Sequence, residues 1–352
     1  MLNLFTDPHI GLGARTNTSA TSTKALDHSL YAKAANIVNK YNNLICAGDL
    51  FHRSHNREGV IAQGVNIANG CDLMLGGNHD NTNRTDDCSS LDIVSQVCES
   101  VMTTPVGRVL GHQNLEFDSG EKVTMIPHHS SQELFDEAIV RACDYSGDLV
   151  ILHCNFNNPF VDEVDTALNL TIAQAEKLLK HYSYIVIGHE HNTRWEMNHR
   201  LLALGNTHPT GFGDISNKYV WHFDKTQENP WSRTKIWDKD YLYVELNASD
   251  IFDLPESEFD VNESVEPPQF VDIVGDLDAE HMPELAHRLG LIWNKWSPFM
   301  VRNQVNAVTE ATESLMEEGY KIEDFSAKIK DGLVASPKLL AKFNDELAKV
   351  EE

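Results

Sequence analysis

Leu44-Ile45-Cys46-Ala47-Gly48-Asp49-Leu50-Phe51-His52 opens with three apolar residues, tightens at Ala47-Gly48 and then presents an acid. A short apolar run closed by Gly predicts a buried strand ending in a tight turn, with Asp49 at its carboxyl edge. In open α/β sheets that edge is where ligands bind. Alone, Gly-Asp is ordinary turn chemistry. Recurrence gives it weight, because four further apolar runs also end in metal-ligating residue types.

Residues 2–6 lead into Asp7-Pro8-His9-Ile10-Gly11, and residues 71–75 into Gly76-Gly77-Asn78-His79-Asp80. Residues 149–152 run into His153, and residues 184–187 into Gly188-His189-Glu190-His191. Periodicity predicts helices at 25–40, 59–69, 92–101, 133–143 and 172–180. Further strands are predicted at 106–110, 115–117, 123–126, 200–204, 219–223, 234–237 and 242–246. Early alternation of strand and helix, followed by a run of strands, predicts a layered α/β domain over residues 1–246.

Residues 253–280 hold ten acids and no Lys or Arg, which predicts an extended, solvated linker over much of that stretch. A strand at 270–274, a helix at 279–296 and a strand at 299–305 then predict a small α+β domain within residues 247–309. Residues 310–352 read as two amphipathic helices. One carries Ile322, Phe325, Ile329 and Leu333. The other starts at Ser336-Pro337 and shows Leu339, Leu340, Phe343, Leu347 and Val350.

The six cysteines are scattered without a C-x-x-C pair, as in a chain from a reducing compartment. Met1-Leu2-Asn3-Leu4-Phe5 lacks the basic start and apolar run of a signal peptide, and no run is long enough to span a membrane. A cytoplasmic protein is expected. The formal net charge of −25 argues against tight DNA binding by this chain alone. It does not argue against chemistry on phosphates, since bound cations reverse the local field. From Tyr241 onward there are 24 acidic and 9 basic residues, so over half of the excess lies in the last third.

The strand ends together offer carboxylates, an amide oxygen and several imidazoles, enough for two divalent ions. Residues two apart on an extended backbone point the same way, so Asp7 with His9 and His189 with His191 are expected to aim into one cavity. No thiolate belongs to the set, which argues against a closed structural zinc site. Mixed oxygen and imidazole donors suit manganese, iron or zinc with open positions.

Asp-x-His, Gly-Asp, Gly-Asn-His-Asp, a lone His and Gly-His-x-His, in that order, resemble the calcineurin-like metallophosphoesterases over roughly residues 1–245. Gly48-Asp49-Leu50-Phe51-His52 is similar to the SbcD-type DNA repair and recombination nucleases, although Pro8 is an unusual filler in their opening motif. The resemblance implies a layered α/β/β/α sandwich with a small α+β capping domain and C-terminal helices. It also implies two ions, manganese in first place with Mg²⁺, Fe²⁺ or Zn²⁺ open, bridged by Asp49. Asp7, His9 and His191 would complete one site, and Asn78, His153 and His189 the other. His79 would be the catalytic histidine, His52 a second active-site histidine, and Asp80 a support that shapes the orientation and basicity of His79.

The resemblance implies a DNA exonuclease or endonuclease that hydrolyses phosphodiester bonds; the alternative is a small-nucleotide phosphodiesterase or phosphatase. Arg53, Arg57 and Arg84 follow the motif loops and are the candidates for phosphate contacts. Phe156-Asn157-Asn158-Pro159-Phe160 either faces substrate or packs its Phe residues inward. The family further implies a homodimer and an SMC-like coiled-coil ATPase partner of the SbcC type, gripped by the C-terminal helices. Such a partner would supply the basic surface that this chain lacks.

Overall fold

A computed structural model describes residues 1–13, 21–82, 87–103, 113–158, 167–260 and 266–308. The helices expected at 310–352, the strand at 106–110 and Arg84 lie outside them. The described strands are β1 (Leu2–Phe5), β2 (Leu44–Cys46), β3 (Leu73–Leu75), β4 (Val101–Met102), β5 (Gln113–Glu116), β6 (Lys122–Ile126), β7 (Gly147–His153), β8 (Asn155–Phe156) and β9 (Asn169–Leu170). They continue with β10 (Tyr182–Gly188), β11 (Arg194–Glu196), β12 (Leu201–Ala203), β13 (Lys218–Phe223), β14 (Trp231–Trp237), β15 (Tyr243–Asn247), β16 (Phe270–Asp278) and β17 (Met300–Val308).

Two six-stranded sheets form the main unit, in the orders β14-β13-β1-β2-β3-β4 and β11-β12-β10-β7-β6-β5. Strands β1 to β4 run parallel, as do β6, β7, β10 and β12. The alternation of side chains along each strand explains the layering. Leu2, Leu4, Ile45, Leu73 and Leu75 turn inward to meet Leu149, Ile151, Val186 and Leu202 of the other sheet. Phe5, Leu44, Cys46 and Met74 turn outward onto Ala34, Ile37, Val60, Ile67, Leu91 and Val94 of the helices Thr21–Lys40, Glu58–Asn69 and Ser90–Ser95. On the far side, Val150, Leu152, Ile185 and Ile187 meet Phe135, Ile139, Ala175 and Leu178 of the helices Gln132–Ala142 and Ile172–Leu178. The result is the α/β/β/α sandwich, with both sheets apolar on two faces as buried parallel strands require.

Two expectations shift. Residues 92–101 are not one helix. The helix is Ser90–Ser95, because Ser89 and Asp92 form a capping box that starts it early, while Val101 leaves to pair with Met74. The acidic stretch 253–280 is also folded at its described ends. A helix at Ala248–Asp253 and a 3₁₀ turn at Glu256–Phe259 flank its start, with Ile251 and Phe259 fully buried, and β16 closes it. Apolar anchors spaced between the acids fold it, a signal that charge counting hides.

The chain divides into two compact units. The first comprises Met1–Val244, Val261–Val271 and Trp296–Val301; the second comprises Glu245–Asp260, Asp272–Lys295 and the described residues from Arg302 onward. The second carries most of a three-stranded sheet, β15-β16-β17, and the amphipathic helix Met282–Lys295. Within it, buried Asp272 accepts from Arg302 and from Gln304 Nε2, the latter at 3.0 Å. Among the described residues, no helix is long and apolar enough to cross a membrane.

Candidate metal centre

The segment after β1 and the segment after β2 run on side by side beyond the sheet. Ala47 N–H donates to Phe5 O, Asp7 N–H to Gly48 O, His9 N–H to Asp49 O and Ile10 N–H to Leu50 O, at 2.9–3.1 Å. This ladder is not extended. Asp7, His9 and Asp49 have φ of 53°, 46° and 50°, in the left-handed region, and His189 has φ of 80°. The expected convergence of Asp7 with His9 and of His189 with His191 thus comes from sharp left-handed turns, not from the two-residue alternation of an extended chain. Each such non-glycine position costs on the order of 1–3 kcal/mol, and this kind of strain gathers at functional sites.

In one half of the centre, Asp7 Oδ2 accepts from Thr6 Oγ1 at 2.5 Å and from His189 N–H at 3.1 Å. Its other oxygen, Oδ1, is buried and accepts no hydrogen bond; it stands 3.7 Å from His9 Nε2 and 4.0 Å from His191 Nε2. The two Nε2 atoms are themselves 2.9 Å apart. In the other half, Asn78 Oδ1 lies 3.0 Å from both His153 Nε2 and His189 Nδ1. Asp49 stands between the halves, its Oδ2 3.3 Å from His153 Nε2 and 3.8 Å from His9 Nε2. Its Oδ1 accepts from His79 N–H at 3.0 Å.

A backbone carbonyl decides which nitrogen of His153 faces the centre. His153 Nδ1 lies 2.8 Å from Ala47 O, so Nδ1 carries the hydrogen and Nε2 turns inward. Burial disfavours a charged His153, yet Asp49 beside it holds its pKa up at about 10. A neutral His153 would face the Asn78 and Asp49 oxygens lone pair to lone pair. A cation removes that conflict and displaces the proton. His9 behaves differently: burial drives its pKa well down against the pull of Asp49, which keeps it neutral and able to ligate.

The residues therefore fit a pair of divalent ions. Groups Asp7, His9, His191 and Asp49, His153, His189 each bring their ligand atoms within 4.8 Å of one another. The unpartnered Asp7 oxygen and the crowded nitrogens want a cation, and the cradle tolerates no extra atom. A Cβ at Gly48 would stand 2.1 Å from His153 Nδ1, and one at Gly77 2.0 Å from Asp49 Oδ1.

His52 and His79 stack at the rim with centroids 5.3 Å apart, both edge-on to His9. Burial, with His79 and Arg53 nearby, lowers the His52 pKa to about 4. His79 Nδ1 lies 2.9 Å from His52 O, which leaves Nε2 for a substrate. Asp80 does not meet the His79 ring as expected. Its buried carboxylate accepts from Leu50, Phe51 and Gly77 N–H at 2.8–3.1 Å, so it steers His79 and Asp49 by tying their two loops together. Burial and Asp49 raise its pKa to about 7. Arg53 is half-buried beside this rim, and Arg57 is exposed at the start of the helix Glu58–Asn69.

Three residues of this centre escaped the sequence reading. Asp214 lies 3.1 Å from His191 Nδ1 and also accepts from Asn206 Nδ2 and from Thr210 and Gly211 N–H. Despite burial, the His191 contact and these donors hold its pKa well below the usual range. Lys218 Nζ donates to His191 O at 2.9 Å. His128, just past β6, is buried with its pKa lowered to about 3, by burial first and by His153 second. Pro127-His128-His129 closes an apolar run just as the other motifs do, which was the available signal.

No protein-family model matches the chain, and no curated protein matches it. Among solved structures, it is similar to a candidate 5′-nucleotidase from Staphylococcus aureus solved with α-ketoglutarate. That likeness has 14% identity and a TM-score of 0.40, and covers 66% of this chain and 52% of the other. The chain spans about half the length of that solved structure.

Proposed function

We propose that this chain is a divalent-metal-dependent phosphoesterase that hydrolyses nucleotide phosphate esters. One observation carries the reading: Asp7, His9 and His191 on one side and Asn78, His153 and His189 on the other converge on Asp49. Two ions held there would lower the pKa of a water and neutralise negative charge on the oxygens of the attacked phosphate. The chain's own part is to hold its ligands in a dry, prearranged cradle. His79 is oriented by His52 O so that Nε2 can give a proton to the leaving oxygen.

Of the two substrates, DNA is supported by the likeness of Gly48-Asp49-Leu50-Phe51-His52 to SbcD-type nucleases. On that reading an SMC-like ATPase supplies the basic surface, and the chain works as a dimer. Small nucleotides are supported by the net charge of −25, which disfavours a polyanion more than a single nucleotide. The test is hydrolysis with Mn²⁺ of end-labelled duplex DNA beside cyclic and mononucleotides. Turnover of the small substrates alone rejects the nuclease, and turnover of none rejects the phosphoesterase.

A further inference from the structure

A cavity of about 540 Å³ opens where the ligand-bearing strands β7 and β10 end, within the size range of small-molecule sites. Phe156, Asn157 and Asn158 follow His153 on one wall; Glu190, which lies between His189 and His191, forms another with Arg194 and Glu196. The guanidinium of Arg194 is fixed on all sides. Nε and Nη2 donate to Glu190 at 2.5 and 2.8 Å, Nη1 to Glu196 at 2.6 Å, and Nη2 also to Phe156 O at 3.1 Å. Four of its five N–H groups are thereby used. One face lies over the Phe156 ring, 5.6 Å from its centroid.

With its edges taken, Arg194 has no fork left for a phosphate, and two carboxylates against one guanidinium leave the wall net negative. What Arg194 brings to the cavity lining is a rigid, planar cation with one face on Phe156, a group that stacks on aromatic rings. Asn157 brings an amide to the lining, both donor and acceptor, as the edge of a heterocycle requires. We propose that this cavity is a nucleobase subsite that stacks a base on Arg194, on a wall tied through Glu190 to the loop that carries His189 and His191. This rests on the phosphoesterase reading for its place in catalysis, though the base can be tested without it.

Adenosine, which carries no phosphate, is dialysed against the full chain and compared with ribose. The expected result is retention of adenosine and not of ribose, with adenosine affinity falling on the order of tenfold in Arg194→Lys, which keeps the charge and loses the plane. Adenosine held no better than ribose overturns the proposal, as does equal binding by a folded Arg194→Lys chain. Should that variant not fold, the wild-type comparison of adenosine with ribose still decides. Displacement of adenosine by adenosine monophosphate alone identifies a mononucleotide site; displacement also by a short single-stranded oligonucleotide identifies an unpaired strand end. Adenosine binding without hydrolysis of any phosphate ester rejects the phosphoesterase reading and leaves the base site standing.

Discussion

Asp214 Oδ2 lies 3.1 Å from His191 Nδ1, and this contact turns His191 Nε2 toward Asp7. A carboxylate behind a ligating imidazole fixes its tautomer and raises its basicity. Asp214→Asn removes the charge and sets an amide against the Asn206, Thr210 and Gly211 donors. Mn²⁺ affinity is expected to fall about tenfold or more, read by isothermal titration. Unchanged affinity would mean that Asp214 serves the loop alone.

Asp49 faces both halves of the centre, whereas Asp7 faces one. Asp49→Ala is therefore expected to lose both ions and Asp7→Ala to lose one, as counted by elemental analysis of the purified chains. Equal stoichiometry in the two variants rejects the bridging role.

His79 touches the centre through its backbone N–H and its ring edge, while its Nδ1 is spent on His52 O. Replacing it with Ala should leave ion content intact and reduce turnover roughly 10²–10⁴-fold, the usual contribution of a general acid. A His79→Ala chain hydrolysing at the wild-type rate removes that role.

Away from the metals, His208 is fully buried with Nδ1 2.7 Å from Pro209 O, and burial lowers its pKa to about 4. An unfolded chain binds this proton near pH 6.5, so the unfolded state holds more protons between pH 6.5 and 4. Stability from this residue is complete above pH 6.5 and is lost as pH falls through 4, by about 2 kcal/mol at pH 5. Melting curves at pH 7.5 and 5 should show a smaller difference in His208→Gln than in wild type. An identical difference in both chains locates the acid sensitivity elsewhere.

Much of the layering and most of the centre were legible because each ligand sits where an apolar run stops. Leu44-Ile45-Cys46 can only be a buried strand, and the loop after it must lie at the sheet's edge. The left-handed turns at Asp7, His9 and Asp49 were not legible, since no glycine marks them and the ladder between the two loops holds them. Asp214 was hidden for a related reason. It lies eleven residues past β12, and only the folded loop brings it back to His191. The acids after Asp253 misled because net charge outweighed the buried side chains beside and among them, Ile251, Phe259, Phe270 and Ile273 included.

Each half of the centre draws its ligands from both sheets. Asp7, His9, Asp49 and Asn78 follow strands of one, while His153, His189 and His191 belong to strand ends of the other. Each ion would thus act as a rivet through the sandwich, adding to the apolar side chains between the two sheets and to the few hydrogen bonds across them, such as His153 Nδ1 to Ala47 O. Stripping the ions should then let amide protons of β2 and β10 exchange faster together, so that occupancy of the centre is felt as stiffness across the whole sandwich.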